Sequence, residues 1–143
     1  MHLHVDDDGF VRAPVGLVYR RLTDIGAWSS WWPAVRTSAI PGGEEAWQVA
    51  FGRRGPRCQA IPGTWRHDQG FRLALTGDLE GTLEFWLEEG HGGTVVHVIL
   101  QADSAARRPL RVLARFRRSA RRGLWALKDM LQAEVRQAIG QDA

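Results

Sequence analysis

Few side chains in this sequence could take a direct part in chemistry. Tyr19 is the only tyrosine and Cys58 the only cysteine among 143 residues. Arg117 lies about 40° from the apolar seam of the last predicted helix, so its guanidinium could bend into a cavity mouth. Tyr19 follows Val18 on a predicted helix and could face a core or a cavity. We therefore take Arg117 and Tyr19 as the candidate catalytic residues.

The other combinations that could do chemistry are incomplete. His2 and His4 form a pair, but no cysteine or carboxylate cluster accompanies them, so we expect no metal site. The Gly-Gly pairs fall in predicted hairpin turns and not before a helix, so they do not form a phosphate loop. No Ser/His/Asp arrangement stands out. We expect no cofactor.

The elements that must position Tyr19 and Arg117 begin with a short strand and two short helices. Leu3 and Val5 indicate a strand that an acidic turn at 6–9 interrupts. Pro14 suits the first position of a helix, and Asp24 can cap a second helix that carries Trp28 and ends near residue 33.

From residue 36 to 102 the pattern changes to strands separated by glycine and proline. The clearest strands are Phe71–Thr76, Gly81–Glu88 and Thr94–Gln101, and turn signals at this spacing predict antiparallel hairpins. Along the second, Leu83, Phe85 and Leu87 alternate with polar residues, so one of its faces is wet.

A long helix follows from Pro109. Its apolar seam has spacings of three and four residues: Leu113, Phe116, Ala120, Leu124, Leu127, Leu131 and Val135. The order of elements predicts an α+β fold.

Three segments carry a family resemblance. Residues 13–33 read APxxxVYxxLTDIxxWxxWWP, residues 84–96 read EFxLxxxxGGTxV, and residues 123–131 read GLxALKxxL. Together they resemble the START-like superfamily, also called SRPBCC, in matching order along nearly the whole chain. The resemblance implies one START-like domain over 1–143, with a helix-grip fold in which a curved antiparallel sheet wraps the long C-terminal helix.

The resemblance also implies an elongated apolar cavity between sheet and helix. Members of the superfamily include polyketide cyclases, lipid carriers, plant hormone receptors and relatives of the birch-pollen allergen. By strand parity and helix seam, the candidate ligand-binding residues are Trp28, Trp31, Trp32, Trp65, Leu83, Phe85, Val96, Val98, Phe116 and Ala120. We expect Trp28, Trp31 and Trp32 to form the cavity rim, because three large aromatics so close together are hard to bury.

Two functions share this cavity. The first is binding of a small hydrophobic molecule, lipid-like or aromatic, by a carrier or sensor. The second is a cyclase or dehydrase acting on a poly-ketone, in which Arg117 and Tyr19 would hold and polarise carbonyls as arginines do in related cyclases. Trp65 stands near the position where those cyclases place an inward arginine, which weakens the second reading.

The distribution of charge suggests a third function. The net charge is +3, but residues 107–143 hold nine arginines and Lys128 against three acids. Arg111, Arg115, Arg118 and Arg122 share the helix face opposite the apolar seam. Such a stripe could contact an acidic carrier protein or an anionic surface. We do not expect a nucleic-acid partner.

Composition bounds these readings. The sequence is 44% hydrophobic and 24% charged, as in ordinary globular domains. It contains neither an apolar run long enough for a transmembrane helix nor the apolar core of a signal peptide. A lone cysteine excludes an intramolecular disulfide and fits a reducing compartment, so we expect a cytoplasmic protein.

Overall fold

A computed structural model describes residues 1–142 of the chain. It contains seven strands, two α-helices and one short 3-10 helix. In chain order they are β1 (His2–Val11), α1 (Val15–Thr23), the 3-10 helix (Ile25–Ser30), β2 (Val35–Ala39), β3 (Trp47–Phe51), β4 (Arg57–Arg66), β5 (Gly70–Gly77), β6 (Glu80–Gly90), β7 (Gly93–Asp103) and α2 (Pro109–Asp142).

The strands form one antiparallel sheet in the order β1-β7-β6-β5-β4-β3-β2. Helix α2 packs against β1 at one edge and against β3 near the other. The sheet is curved, and α2 lies against its concave face. The predicted α+β helix-grip architecture, with two short helices after the first strand, is therefore confirmed.

The core lies between the concave face of the sheet and the seam of α2. Leu83, Phe85 and Val98 are buried on that face with the period of two that a half-buried strand requires. On α2, the seam residues from Phe116 to Leu131 are buried, while Leu113 and Val135 at its two ends are half-buried. The periodicity of the sequence thus located both layers of the core.

The first strand differs from the prediction, because β1 runs through the acidic segment without interruption. It pairs with β7 along its whole length, from His2 opposite Asp103 to Val11 opposite Thr94. Asp7 lies half-buried in the strand, and its Oδ1 forms an ion pair with Nη1 of Arg121 in α2 at 3.3 Å. A full ladder of backbone hydrogen bonds outweighs the local preference of aspartate for turns.

The two short helices are held by their tertiary contacts. Asp24 precedes the 3-10 helix, but its side chain makes no capping hydrogen bond within residues 1–142, contrary to the prediction. Arg21 of α1 donates to Glu134 of α2 at 2.8 Å, and its other terminal nitrogen lies 3.1 Å from the sulfur of Met130. These contacts fix α1 against the C-terminal half of α2.

Candidate functional site

A small apolar cavity lies where the resemblance implies a ligand site, between α2 and the concave face of the sheet. Its volume is about 10 Å³, close to the minimum that holds one water molecule. The wall is made of residues from α1, the segment after the 3-10 helix, β6, β7 and α2: Leu22, Trp31, Trp32, Phe85, Val98, Ala120, Gly123, Leu124 and Leu127.

Two of the three clustered tryptophans fill the space beside this cavity. The indole N–H of Trp28 donates to the Leu22 carbonyl, and that of Trp32 donates to the Ser119 carbonyl, both at 2.8 Å. Their ring centroids are 5.1 Å apart. The expected rim is therefore wrong for Trp28 and Trp32, because hydrogen bonds to backbone carbonyls allow both indoles to be buried in the core.

Trp31 differs from its two neighbours in its polar atom. Its ring stacks on Trp32 with centroids 5.6 Å apart and is 8% exposed. Its indole N–H is buried, yet it has no hydrogen-bond partner among the described residues. Buried polar groups are almost always paired in folded proteins. Trp31, a residue of the cavity wall, thus carries a buried hydrogen-bond donor that no described residue accepts.

Gly123 makes this packing possible. A Cβ atom at residue 123 would lie 2.6 Å from two atoms of the Trp32 ring, closer than real contacts allow. The close neighbour that Gly123 admits is the Trp32 indole.

Leu124 separates the cavity from an outer groove. The outer groove has a volume of about 130 Å³ and lies between β1 and α2, where Phe10, Trp125 and Lys128 also line it. Leu124 lines both spaces, and it is 8% exposed. Leu124 is therefore a residue that the cavity and the groove share.

The remaining candidate ligand-binding residues divide into two groups. Phe85, Val98 and Ala120 line the cavity together with Trp31 and Trp32. Leu83, Val96 and Phe116 are buried in the core but lie outside the cavity wall; Phe116 packs edge-on against Phe51.

Trp65 lies farther away, near the end of β4. A bulge between Pro62 and Trp65 shifts the register, so Trp65 comes opposite Phe71 and stacks on it at 5.1 Å. The bulge reverses the parity of Trp65 within β4 and brings its ring to the concave face beside Phe71. Its ring is 40% exposed and is not part of the cavity wall.

The two candidate catalytic residues are not brought together. Arg117 is exposed on α2 and does not line the cavity, so the expected bend of its guanidinium into the mouth is not observed. Tyr19 is buried on α1 next to His67, with ring centroids 5.1 Å apart. Burial raises the pKa of the Tyr19 phenol, and the negative charge of Asp68 raises it further. Tyr19 lies outside the cavity wall as well.

The lone thiol is also unsuited to chemistry. Burial raises the pKa of Cys58 to about 11, while a backbone hydrogen bond at Leu79 opposes the shift and Asp78 adds to it. A thiol with so high a pKa is protonated near neutral pH and is a poor nucleophile.

The arginine stripe of α2 is exposed as predicted, apart from Arg115, which is half-buried. Arg115 donates to the backbone carbonyl of Arg54 at 3.1 Å. Arg53 and Arg54, on the turn after β3, therefore lie against the stripe. Sequence reasoning missed these two residues, because only the fold brings the turn after β3 to this face of α2.

Comparison with known proteins bears on the fold. No protein-family model matches the chain, and none of the curated proteins does so by sequence. Solved structures similar in fold include the ZhuI aromatase/cyclase from a Streptomyces species, which is 15% identical with a TM-score of 0.74 over 96% of this chain and 98% of that one. Another is Ara h 8.0201, 11% identical with a TM-score of 0.72 over 93% and 99% of the two chains.

A third similar structure is the di-domain ARO/CYC StfQ from the steffimycin biosynthetic pathway. It is 15% identical with a TM-score of 0.72, and the match covers 94% of this chain and 52% of that one. At these identities the likeness concerns the fold. The chain has the helix-grip fold, as the resemblance of the three sequence segments implied. In the described part of the chain, no helix is long and apolar enough to span a membrane.

Proposed function

We propose that the protein binds a small hydrophobic molecule bearing an acceptor oxygen, in the space between α2 and the sheet, as a carrier or sensor. The observation that carries this proposal is that Trp31, which lines an otherwise apolar cavity, has a buried indole N–H without a partner among the described residues. An apolar pocket with one or a few placed polar groups is the usual form of a small-molecule site.

The free energy of the unpaired donor gives binding a driving force. Leaving a buried N–H without a partner costs about 1–3 kcal/mol, and a ligand oxygen would recover part of that cost. The rest of the wall consists of hydrocarbon and aromatic surface, which favours a ligand whose body is apolar. The expected ligand is therefore an aromatic or aliphatic body with a ketone, ester or hydroxyl oxygen.

The cavity must enlarge to admit such a molecule. Sites for small ligands usually have volumes of about 300–1,000 Å³, far above the observed cavity. We infer that the Leu124 side chain swings aside and the ligand enters from the outer groove between β1 and α2. The structure then represents the closed state, and the ligand shifts the population toward the open one.

Catalysis on a poly-ketone, the second candidate, draws on the same donor. The Trp31 N–H could polarise a carbonyl, as an oxyanion-hole donor does. However, none of the residues that line the cavity has a titratable side chain. General acid–base chemistry needs such a group within hydrogen-bond reach of the substrate, so the observed wall favours binding over turnover.

The first experiment is native mass spectrometry of the gently purified protein beside its denatured mass. An added mass that is lost on denaturation supports binding and identifies the ligand. If the native mass equals the mass of the protein alone, binding is tested next with two defined compounds. Neither 2-acetylnaphthalene nor 2-isopropenylnaphthalene is charged, and the two are similar in shape, but only the first carries a carbonyl oxygen.

The second experiment compares the affinities of these two compounds by quenching of tryptophan fluorescence. We expect the ketone to bind roughly 5–10-fold more tightly, as one net hydrogen bond implies. Trp31→Phe should abolish this preference, and Trp65→Phe, the same change outside the cavity, should retain it. A preference that survives in Trp31→Phe, or failure of both compounds to bind, would contradict the proposal.

A further inference from the structure

A second concave site lies on the other side of α2, between this helix and the turn that joins β3 to β4. The groove has a volume of about 530 Å³, which is far larger than the apolar cavity. Five arginines and one serine supply its polar lining: Arg53, Arg54, Arg115, Arg118, Ser119 and Arg122. We call it the arginine groove.

The turn is built to hold its two arginines against the helix. Gly52 adopts a φ of +94°, and a Cβ atom at Gly55 would lie 1.5 Å from the carbonyl oxygen of Phe51. Both positions therefore require glycine. The Arg115 guanidinium then donates to the Arg54 carbonyl and ties the turn to α2. The backbone of the turn is thus held beside α2.

The charge of the groove is uncompensated. Among the side chains that the structure describes, residues 1–140, no acidic residue lines it and none of its five arginines forms an ion pair. In contrast, Arg21, Arg72 and Arg121 elsewhere on the surface each contact a carboxylate. Five guanidinium groups that face one groove repel each other, and a bound anion would relieve that repulsion.

Two further observations point to a ligand in the groove. Ser119 is 5% exposed, and its buried hydroxyl has no hydrogen-bond partner among the described residues. Ala34, also in the wall, has a φ of +60°, a left-handed conformation that is unfavourable for alanine. Backbone strain and unpaired polar groups tend to collect at binding sites.

We propose that the arginine groove binds a polyvalent phosphate group, of the pyrophosphate or phosphate-ester class. The planar fork of arginine matches the oxygens of a phosphate and can donate two parallel hydrogen bonds. A phosphate monoester carries about −1.5 to −2 charges at neutral pH, so two phosphate groups would balance most of the charge of five arginines. The stripe alone was compatible with an acidic carrier protein or an anionic surface; the turn with Arg53 and Arg54 makes the surface concave and favours a phosphate group.

The test is calorimetric titration of the whole protein with inorganic pyrophosphate at low ionic strength. The double variant Arg118→Gln/Arg122→Gln removes two charges from the groove. We expect this variant to bind pyrophosphate at least ~10-fold more weakly than the unchanged protein, since hydrogen bonds to charged groups contribute more to binding free energy than neutral ones do. The control Arg20→Gln/Arg136→Gln removes the same charge from exposed positions outside the groove and should change affinity less than ~2-fold.

Equal losses in the two double variants would overturn the proposal, because they would show attraction to net charge alone. Failure of the protein to bind either pyrophosphate or vesicles that contain phosphatidic acid would overturn the proposal as well. Ser119→Ala leaves every charge in place and tests whether the buried hydroxyl contacts the anion. We expect a ~2–5-fold weaker affinity without loss of stability.

The phosphate could belong to a soluble molecule or to a lipid headgroup, and a second arm separates these sources. Co-sedimentation is measured with phosphatidylcholine vesicles that contain phosphatidic acid and with vesicles of phosphatidylcholine alone. Binding to the anionic vesicles without pyrophosphate binding, lost in Arg118→Gln/Arg122→Gln, identifies the headgroup as the source. Binding of pyrophosphate with no vesicle binding identifies a soluble ligand. Capture of a DNA duplex or an acidic protein with neither phosphate probe bound would overturn the proposal.

Discussion

The two sides of α2 differ in how completely their space is filled: the side toward the sheet is almost closed, and the opposite side is an open groove. On the sheet side, tryptophans fill nearly all the space, and the Trp31 N–H has no partner among the described residues. On the other side, the arginine groove stays open; in the same part of the chain its five arginines have no carboxylate partner and the Ser119 hydroxyl has no hydrogen-bond partner. In each case the molecule satisfies its polar groups almost everywhere else. The contrast teaches that volume alone does not locate a site; unpaired groups do.

The two sides are linked through a single turn of the helix. Trp32 lines the cavity and donates to the backbone carbonyl of Ser119, whose side chain lines the arginine groove. Gly123, one turn further, receives the face of the same indole. A change in the position of Trp32 would therefore alter the packing at both sites.

We expect the largest loss of stability from Trp32→Ala, which removes the side chain that contacts both sites. Removing a buried aromatic side chain costs about 3–5 kcal/mol in free energy of unfolding, and the hydrogen bond to Ser119 is lost too. Trp65→Ala should cost far less, since that ring is partly exposed and lies outside the core. Urea denaturation of both variants measures the difference. Equal costs would show that Trp32 does not organise the core.

A pair of conservative changes sharpens the contrast between paired and unpaired donors. Trp28→Phe removes a buried N–H that donates to Leu22 and leaves that carbonyl without it, so we expect a loss of about 1–3 kcal/mol beyond the smaller ring. Trp31→Phe removes a donor that has no partner, so its cost should be clearly smaller. The same denaturation experiment checks this order. The reverse order would mean that the Trp31 N–H is satisfied in solution.

The smallest effect concerns the charge of the groove. Arg118 has like-charged neighbours three and four residues away, Arg115 and Arg122, so Arg118→Gln should raise the free energy of unfolding by about 0.2–0.5 kcal/mol at low salt. The gain should fade as salt screens the charges. Arg136→Gln, on the same helix without such neighbours, is the control. A gain of the same size there would argue against repulsion in the groove.

Local patterns sufficed for the architecture but not for the site. Period-two alternation around Phe85 and the seam of α2 predicted both layers of the core, because the spacing of apolar residues shows which face of an element is buried. The acidic segment of β1 was misjudged because its partner β7 lies far along the chain. Trp65 lies on the concave face, stacked on Phe71, only because a bulge changes the parity of β4, and single-strand patterns carry no sign of that bulge.

The site itself depends on hydrogen bonds that spacing cannot reveal. Whether a tryptophan rims a cavity or fills it is decided by which backbone carbonyl its N–H can reach, and Ser119 is far from Trp32 in sequence. Likewise the arginines of the groove come from a turn and a helix that only the fold brings together. The exposed stripe of α2 was visible from its helical period; the concavity was not.

The pairing of β1 with β7 has a consequence for how the chain folds. The ladder between them joins His2 to Asp103 and Val11 to Thr94, so nearly all its contacts span most of the sheet's sequence. Closing so long a loop is entropically costly, and topologies rich in such contacts fold slowly. During synthesis β1 must wait for β7 to be made, with its apolar residues unsheltered. The final docking of this edge, and of α2 upon it, is therefore expected to be the rate-limiting event of folding.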